Sequence, residues 1–278
     1  MGVSWTPVQR QRLAELGAGQ AIFDQEFPDV GHRNRTFQEA ERGLVEEARR
    51  RLESLRQVRR RPVLCQLEED LVKALIDRGF TQVVTPILLP RVSLEKMTIS
   101  EDHPLFSQVF WVDPSRCLRP MLAPNLYKMM VSLARVWPMP IRIFEVGPCF
   151  RKETSGAQHL NEFTMLNLVE MGLPQEERAP RLRELASLVM EASGISDYQL
   201  HKKESEVYGT TLDVVSGLEL GSGAMGPHPL DEAWGVFDTW VGIGFGLERL
   251  AMVREGYQGV HRVGRSLAYL DGVRLNIG

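Results

Sequence analysis

The chain has 278 residues, enough for one large domain or for one domain with an appendage. With 43% hydrophobic and 25% charged residues and a net charge of -3, it resembles an ordinary globular protein, so any nucleic-acid-binding surface must be local. The three cysteines show no CxxC spacing and the six histidines are scattered, which argues against a zinc site or a disulfide framework. This cysteine usage favours a reducing, cytoplasmic location. No apolar run approaches membrane-spanning length, and we expect no membrane partner.

The first part of the chain is predicted to be helical. A long helix is predicted from Thr36 to Arg61, with Thr36 as its N-cap and Pro62 beyond its end. Its apolar stripe consists of Leu44, Ala48, Leu52 and Leu55. The span from Arg33 to Arg61 contains ten arginines and five glutamates, which indicates either a solvated helix face or a surface that contacts RNA phosphates.

The rest of the chain is predicted to mix helices and strands. A helix from about Leu67 to Arg78 leads into a β-branched stretch that ends at Pro86. Further strands are predicted at Val109–Val112, Ile141–Val146, Phe163–Val169, Thr211–Val215 and Thr239–Phe245. Further helices are predicted at Asn125–Val136, Glu176–Ala192 and Leu247–Arg254. Because these strands lie close in sequence, we predict an α+β fold with a central antiparallel sheet flanked by helices. The predicted division is an N-terminal helical segment over residues 1–61 and a mixed core of helices and strands over residues 62–278.

One segment alternates glycine with apolar residues. Gly242, Gly244 and Gly246 match neither a P-loop nor the glycine spacing of a Rossmann turn. On a strand these glycines would share one face, where a ring or a phosphate chain could lie on the backbone. Arg249 would follow at the start of a helix, a favourable place for an anion. A tightly packed strand that crosses another element is the alternative explanation.

A second pair of charged residues follows a predicted strand. Arg151 and Glu153 lie near the tip of a predicted hairpin, where the arginine could bind a phosphate and the carboxylate could accept from an adenine amino group. Alone, these two residues fit a surface ion pair equally well. Glu219 and Ser222 place a carboxylate and a hydroxyl near a possible Mg²⁺.

The order of these features resembles the three motifs of class II aminoacyl-tRNA synthetases. A helix and strand ending at Pro86 come first, Arg151 and Glu153 on a hairpin second, and the glycine-rich strand ending in Arg249 third. Within class II, residues 118–127, 162–167, 207–209 and 240–249 resemble the pyrrolysyl-tRNA synthetase family, and the similarity extends from about Thr36 to the C-terminus. The bacterial catalytic subunit is the most similar form, which implies a separate N-terminal tRNA-binding subunit. The resemblance also implies that residues 1–61 face tRNA and that residues 62–278 form the class II catalytic core.

The resemblance implies an ATP site with Mg²⁺. Arg151 would hold the α-phosphate and Arg249 the γ-phosphate, while Glu153 would read the adenine amino group. Phe163 and Arg249 would sandwich the purine. The metal ligands would be Glu219 and Ser222, and the other ATP contacts would be His159, Leu160, Leu220 and Gly244.

The resemblance also implies an amino-acid pocket. It would be formed by Leu126, Tyr127, Met130, Asn167, Val169, Trp240 and Gly242, with Tyr208 on a loop over the top. The spacing is compatible, because Leu126 and Met130 are four residues apart on one predicted helix and Asn167 and Val169 share one face of a strand. Individually, the apolar members would be ordinary core residues. Val169 departs from the cysteine found in archaeal relatives.

These features predict a two-step ligase. It would activate pyrrolysine or a related lysine derivative with ATP and transfer it to a cognate tRNA, as a homodimer. One alternative is a class II-like ligase that activates an amino acid without charging tRNA. Another is a non-catalytic paralogue, which should have lost Arg151, Glu153 or Arg249, yet all three are present.

Overall fold

The computed structural model describes residues 2–152, 159–205 and 207–277. The helices are α1 Pro7–Leu16, α2 Gln20–Phe23, α3 Val30–Ser54, α4 Val63–Asp77, α5 Arg91–Glu95, α6 Pro104–Ser107, α7 Ala123–Leu133, α8 Arg178–Ser193, α9 Asp231–Trp234 and α10 Leu247–Glu255. The strands are β1 Thr81–Gln82, β2 Leu88–Pro90, β3 Trp111–Asp113, β4 Arg116–Leu118, β5 Ile141–Phe150, β6 Glu162–Met171, β7 Gln199–Ser205, β8 Gly209–Ser216, β9 Leu218–Gly226, β10 Trp240–Gly246, β11 Tyr269–Leu270 and β12 Val273–Arg274.

The chain divides into two compact units. The first comprises Met1–Val63 and Ser266–Gly278, and the second comprises Leu64–Arg265. The C-terminal segment, which the sequence analysis places with the catalytic core, therefore belongs to the helical unit. None of the helices in the described part of the chain is long and apolar enough to cross a membrane.

The first unit is built around α3. The predicted apolar stripe is confirmed. Ala48 and Leu55 are buried, and Leu44 packs against an apolar cluster formed by Trp5, Leu13 and Phe27. The predicted N-cap was wrong. Asp29 caps the helix by accepting from the His32 backbone N–H at 2.7 Å, while the Thr36 hydroxyl lies inside the helix and donates to the His32 carbonyl at 3.0 Å. Aspartate is as good an N-cap residue as threonine, so the residue type did not distinguish the two positions. The helix therefore begins well before its apolar stripe.

The second unit contains a seven-stranded sheet in the order β1-β5-β6-β10-β9-β8-β7. All neighbouring strands are antiparallel except β1, which runs parallel to β5. The predicted α+β class is confirmed. Helix α4 buries Leu67, Leu71 and Leu75 at the spacing of one helical face. Helices α7 and α8 pack against this sheet, α7 on β5 and β6 and α8 on β9 and β10.

A buried ion pair connects the segment around Pro86 to the sheet. Arg119 and Glu145 form a salt bridge of 2.7 Å with side chains only 2% and 1% exposed. Thr85 donates its backbone N–H and its hydroxyl to the Glu145 carboxylate, and the Asn125 amide donates to the Thr85 hydroxyl. Asn125 lies in the first turn of α7, so one polar cluster fixes the start of the helix that carries Leu126 and Met130.

Candidate active site

A cavity of about 550 Å³ opens in the second unit. The predicted ATP and metal residues that line it are Arg151, His159, Leu160, Phe163, Glu219, Leu220, Ser222, Gly244 and Arg249. The predicted amino-acid residues that line it are Leu126, Tyr127, Met130, Asn167, Val169, Tyr208, Trp240 and Gly242. Glu153 lies outside the described residues. The structure therefore brings every other predicted site residue to one cavity.

The glycines of β10 expose backbone to this cavity. Strand β10 pairs with β6 so that Gly244 lies opposite Asn167 and Gly242 opposite Val169. A Cβ atom at Gly244 would lie 2.2 Å from the Asn167 side-chain oxygen, so a larger residue would displace that amide. The alternate residues of the strand, Val241, Ile243 and Phe245, are buried, as expected for a strand with one glycine face.

Aromatic rings form one end of the cavity. The Tyr127 ring stacks on Trp234 with a centroid distance of 5.3 Å, and it meets Trp240 edge-on at 5.7 Å. Tyr208 lies edge-on to Trp240 at 6.4 Å. Burial raises the pKa of Tyr127 well above its usual value, so its phenol stays protonated and donates a hydrogen bond. That hydrogen bond goes to Asp231, at 2.9 Å.

Two arginines lie at the other end of the cavity, each held by a backbone carbonyl. Arg151 Nε donates to the Pro120 carbonyl at 2.9 Å, and its guanidinium carbon lies 5.3 Å from the centre of the Phe163 ring. Arg249 Nη1 donates to the Glu219 carbonyl at 2.9 Å. These contacts fix both cations before a ligand arrives, which suits binding of a polyphosphate.

The predicted metal residues lie beside a second carboxylate. The Ser222 hydroxyl donates to Asp213 at 2.6 Å, so its oxygen lone pairs remain available to a cation. The Lys203 ammonium lies 3.2 Å from Glu219 and 3.5 Å from Asp213. Among the described residues, no group of three or more His, Cys, Asp or Glu side chains is placed to hold a metal ion. Carboxylate and hydroxyl oxygens nonetheless fit Mg²⁺, which keeps several waters and binds few protein ligands.

The sequence did not reveal several charged residues that line this cavity or support its walls, among them Lys203, Asp213 and Asp231. Asp213 and Asp231 are both 3% exposed, and Lys203 lies beside Asp213. Asp213 follows a buried leucine in the apolar strand β8. Because a carboxylate is rarely buried without a partner, an acidic residue in such a strand indicates a binding or structural role. Asp231 occurs in a loop-like sequence, and only its tertiary contacts distinguish it.

Comparison with known proteins settles the family. A crystal structure of pyrrolysyl-tRNA synthetase from Desulfitobacterium hafniense is 58% identical, with a TM-score of 0.95 over 100% of both chains. A second structure from that organism, PylSc, is 57% identical with a TM-score of 0.93 over 99% of both chains. Residues 51–270 match the family model of the tRNA synthetases class II core domain (F). The chain belongs to the class II aminoacyl-tRNA synthetases, in the pyrrolysyl-tRNA synthetase family. It is therefore an aminoacyl-tRNA ligase.

Other class II synthetases are more distant. O-phosphoserine--tRNA(Cys) ligase of Methanocorpusculum labreanum is 29% identical over 50% of this chain. Threonine--tRNA ligase of a Wolbachia from Brugia malayi is 35% identical over 34% of it. The chain spans 29% and 15% of these relatives' own length, so the similarity is confined to part of each. Class II synthetases in general use ATP and Mg²⁺.

Proposed function

We propose that this synthetase activates pyrrolysine or a similar lysine derivative with ATP and transfers it to a cognate tRNA. The observation that carries the proposal is one cavity with an apolar, aromatic end and a cationic end, with Asn167 on its wall. Asn167 is half-buried in the cavity wall, and its carboxamide can both donate to and accept from a substrate amide. A long lysine derivative with a terminal ring needs this combination of apolar wall and amide reader.

In the first step, the amino-acid carboxylate attacks the α-phosphorus of ATP and pyrophosphate leaves. Arg151 binds the α-phosphate, Arg249 binds the γ-phosphate, and Phe163 and Arg249 hold the purine between them. Glu219 and Ser222 would hold Mg²⁺, which when bound neutralises charge on the phosphates. The proposed role of Glu153, reading the adenine amino group, rests on the resemblance alone. His159, Leu160, Leu220 and Gly244 complete the contacts to ATP.

In the second step, the terminal ribose hydroxyl of tRNA attacks the acyl-adenylate and releases AMP. The chain's own groups position the reactants and neutralise charge, and no covalent intermediate with the protein is needed. The same cavity therefore serves both steps, with the acyl group held at the aromatic end throughout.

The exposed arginines of α3 and of the helical segment that follows it, Leu55–Arg59, are proposed to contact tRNA. Arg50 and Arg56 are 67% and 73% exposed, and each forms an ion pair with the glutamate three residues before it, Glu47 and Glu53 respectively. Arg51 and Arg59 instead donate to Asp271, so they hold the first unit together. The structure thus separates arginines with a structural contact from those that present charge to solvent.

A homodimer is also part of the proposal. Five large apolar side chains from the end of α4 to α5 are exposed, namely Ile76 (51%), Val84 (87%), Ile87 (40%), Leu88 (43%) and Val92 (53%). Exposed apolar side chains mark a protein interface where they form one contiguous patch, and the proposal is that these five do so. A cytoplasmic location and a separate tRNA-binding subunit are proposed from the resemblance to the bacterial enzyme.

ATP–pyrophosphate exchange with a panel of lysine derivatives tests the proposed activity. Acylated lysines with a terminal ring should support exchange, while free lysine, which lacks the side-chain amide carbonyl and the ring, serves as the matched control. Equal exchange with free lysine would overturn the proposed substrate class. Formation of aminoacyl-tRNA with cognate but not with unrelated tRNA tests the second step.

A further inference from the structure

We propose that Asp231 is a positioning residue that sets the shape of the aromatic end of the amino-acid pocket, an inference that rests on the proposed function. Its side chain is 3% exposed, and both oxygens are used. One oxygen accepts from the Tyr127 hydroxyl at 2.9 Å. The other accepts from the Trp240 indole N–H at 2.9 Å and from the His228 backbone N–H at 2.7 Å. One carboxylate thus holds two rings that line the cavity.

These hydrogen bonds act on rings that have few alternative positions. Trp240 lies opposite Gly226 in the sheet, and a Cβ atom at Gly226 would lie 1.9 Å from the indole nitrogen. The indole is therefore confined between the β9 backbone and Asp231. Tyr127 is confined in the same way, because its ring stacks on Trp234 while its hydroxyl is bound to the carboxylate.

The contact also reaches the loop above the pocket. Tyr208 lies edge-on to Trp240 and to His228, with centroid distances of 6.4 Å and 5.6 Å. His228 is the residue whose backbone N–H donates to Asp231. Asp231 therefore fixes both surfaces on which the Tyr208 ring rests. Loss of the carboxylate should alter the end of the pocket that receives the substrate ring and leave the phosphate end unchanged.

Two substitutions that keep the number and branching of the side-chain heavy atoms distinguish a hydrogen-bonding role from simple space filling. In Asp231→Asn, the remaining oxygen can accept from Trp240 and His228, and the new amide can donate to a rotated Tyr127 hydroxyl. In Asp231→Leu, the three donors lose their acceptor inside a buried site. The asparagine variant should therefore retain the pocket, and the leucine variant should not.

Pyrophosphate exchange with an acylated lysine that carries a terminal ring measures the effect. Asp231→Leu should raise the KM for the amino acid by about tenfold or more and leave the KM for ATP within about twofold. Asp231→Asn should stay within about threefold of the parent on both. An unchanged Asp231→Leu, equal losses for ATP and amino acid, or an asparagine variant as impaired as the leucine variant would each overturn the proposal.

Two further measurements cover the remaining outcomes. If Asp231→Leu does not fold, Tyr127→Phe removes a single donor, and an unchanged amino-acid KM in that variant would overturn the proposal. If the parent protein activates no lysine derivative, the proposed function fails, and the Trp240 indole N–H resonance tests the geometry without substrate. That resonance should be nearly unmoved in Asp231→Asn and should shift in Asp231→Leu, and the same shift in both would reject Asp231 as the anchor of the ring.

Discussion

Arg119 and Glu145 form a salt bridge of 2.7 Å from which solvent is almost completely excluded. Removing one partner leaves a buried charge without compensation. We expect Arg119→Met to reduce the free energy of unfolding by about 3–5 kcal/mol, measured by urea denaturation. Arg116→Met is the control, because its ion pair with Asp113 lies at the surface, where solvent screens it, and should contribute much less to stability. Equal losses in the two variants would contradict the assigned role of burial.

Arg151→Ala and Arg249→Ala should each nearly abolish pyrophosphate exchange. A lost charge-assisted phosphate contact costs about 2–4 kcal/mol in the transition state. Arg254→Ala, on the same helix as Arg249, is the control, because Arg254 pairs with Asp70 and does not line the cavity. Near-normal exchange by either test variant, with the fold intact, would refute the proposed phosphate site.

Gly244→Ala should impair amino-acid activation by displacing the Asn167 amide. The added methyl group would lie 2.2 Å from the amide oxygen, and the amide cannot keep its place. The KM for the acylated lysine should rise about tenfold or more, as it should in Asn167→Ala, because a buried substrate amide loses its partner. The matched control is Gly246→Ala on the same strand, where the nearest atom is 3.8 Å away. Similar amino-acid KM values for the two glycine variants would show that Asn167 does not read the substrate.

Replacing Arg49, Arg50 and Arg56 with glutamine should weaken aminoacylation and make it less sensitive to salt. Each lost phosphate contact should reduce the log–log salt slope of tRNA binding by about one unit. Pyrophosphate exchange requires no tRNA and should be unchanged. Arg51 and Arg59 are left intact because both contact Asp271.

The control for this triple variant is the equivalent charge change elsewhere. Glutamine at Arg78, Arg135 and Arg183 removes the same number of exposed arginines from the second unit. If both triple variants lose aminoacylation to the same extent, the effect is one of net charge, and Arg49, Arg50 and Arg56 make no specific contact with tRNA.

Val84→Glu should convert the proposed dimer into a monomer. Its side chain is 87% exposed, so a charge there costs little in the isolated chain and much in a closed apolar interface. Sedimentation at micromolar concentration measures the change. Val136→Glu is the control, since that residue is 73% exposed and lies outside the α4–α5 region. A parent protein that is already monomeric and fully active would contradict the proposal.

The sequence predicted the parts of the sheet that have a strong local pattern. The glycine alternation of β10 and the apolar strands β5 and β6 were recognised, because their residues follow the two-residue period of a strand. Strands β7 and β9 were missed. Strand β7 is polar at an edge of the sheet, and β9 contains Gly221, Gly223 and Gly226, which weaken any local strand preference.

Those glycines are explained only by the strands beside them. A Cβ at Gly221 would lie 2.5 Å from the Phe245 ring, and one at Gly226 would lie against Trp240. The same limit applies to Asp213 and Asp231, whose partners Ser222 and Tyr127 come from other elements. The residue types along the chain predicted which side chains line the cavity. The side chains that hold them in place are identified only by contacts between elements distant in sequence.

The glycine face of β10 limits how this pocket can change. Where the cavity wall is backbone, there is no side chain to shorten, so a point substitution cannot enlarge the cavity there. A larger side chain at Gly244 would also collide with Asn167. New substrates must therefore be accommodated at the other lining side chains, which are Val169 on the neighbouring strand β6 and Leu126 and Met130 on α7. Diversification of the acyl group is a matter of altering those three side chains, while the nucleotide end of the cavity stays constant.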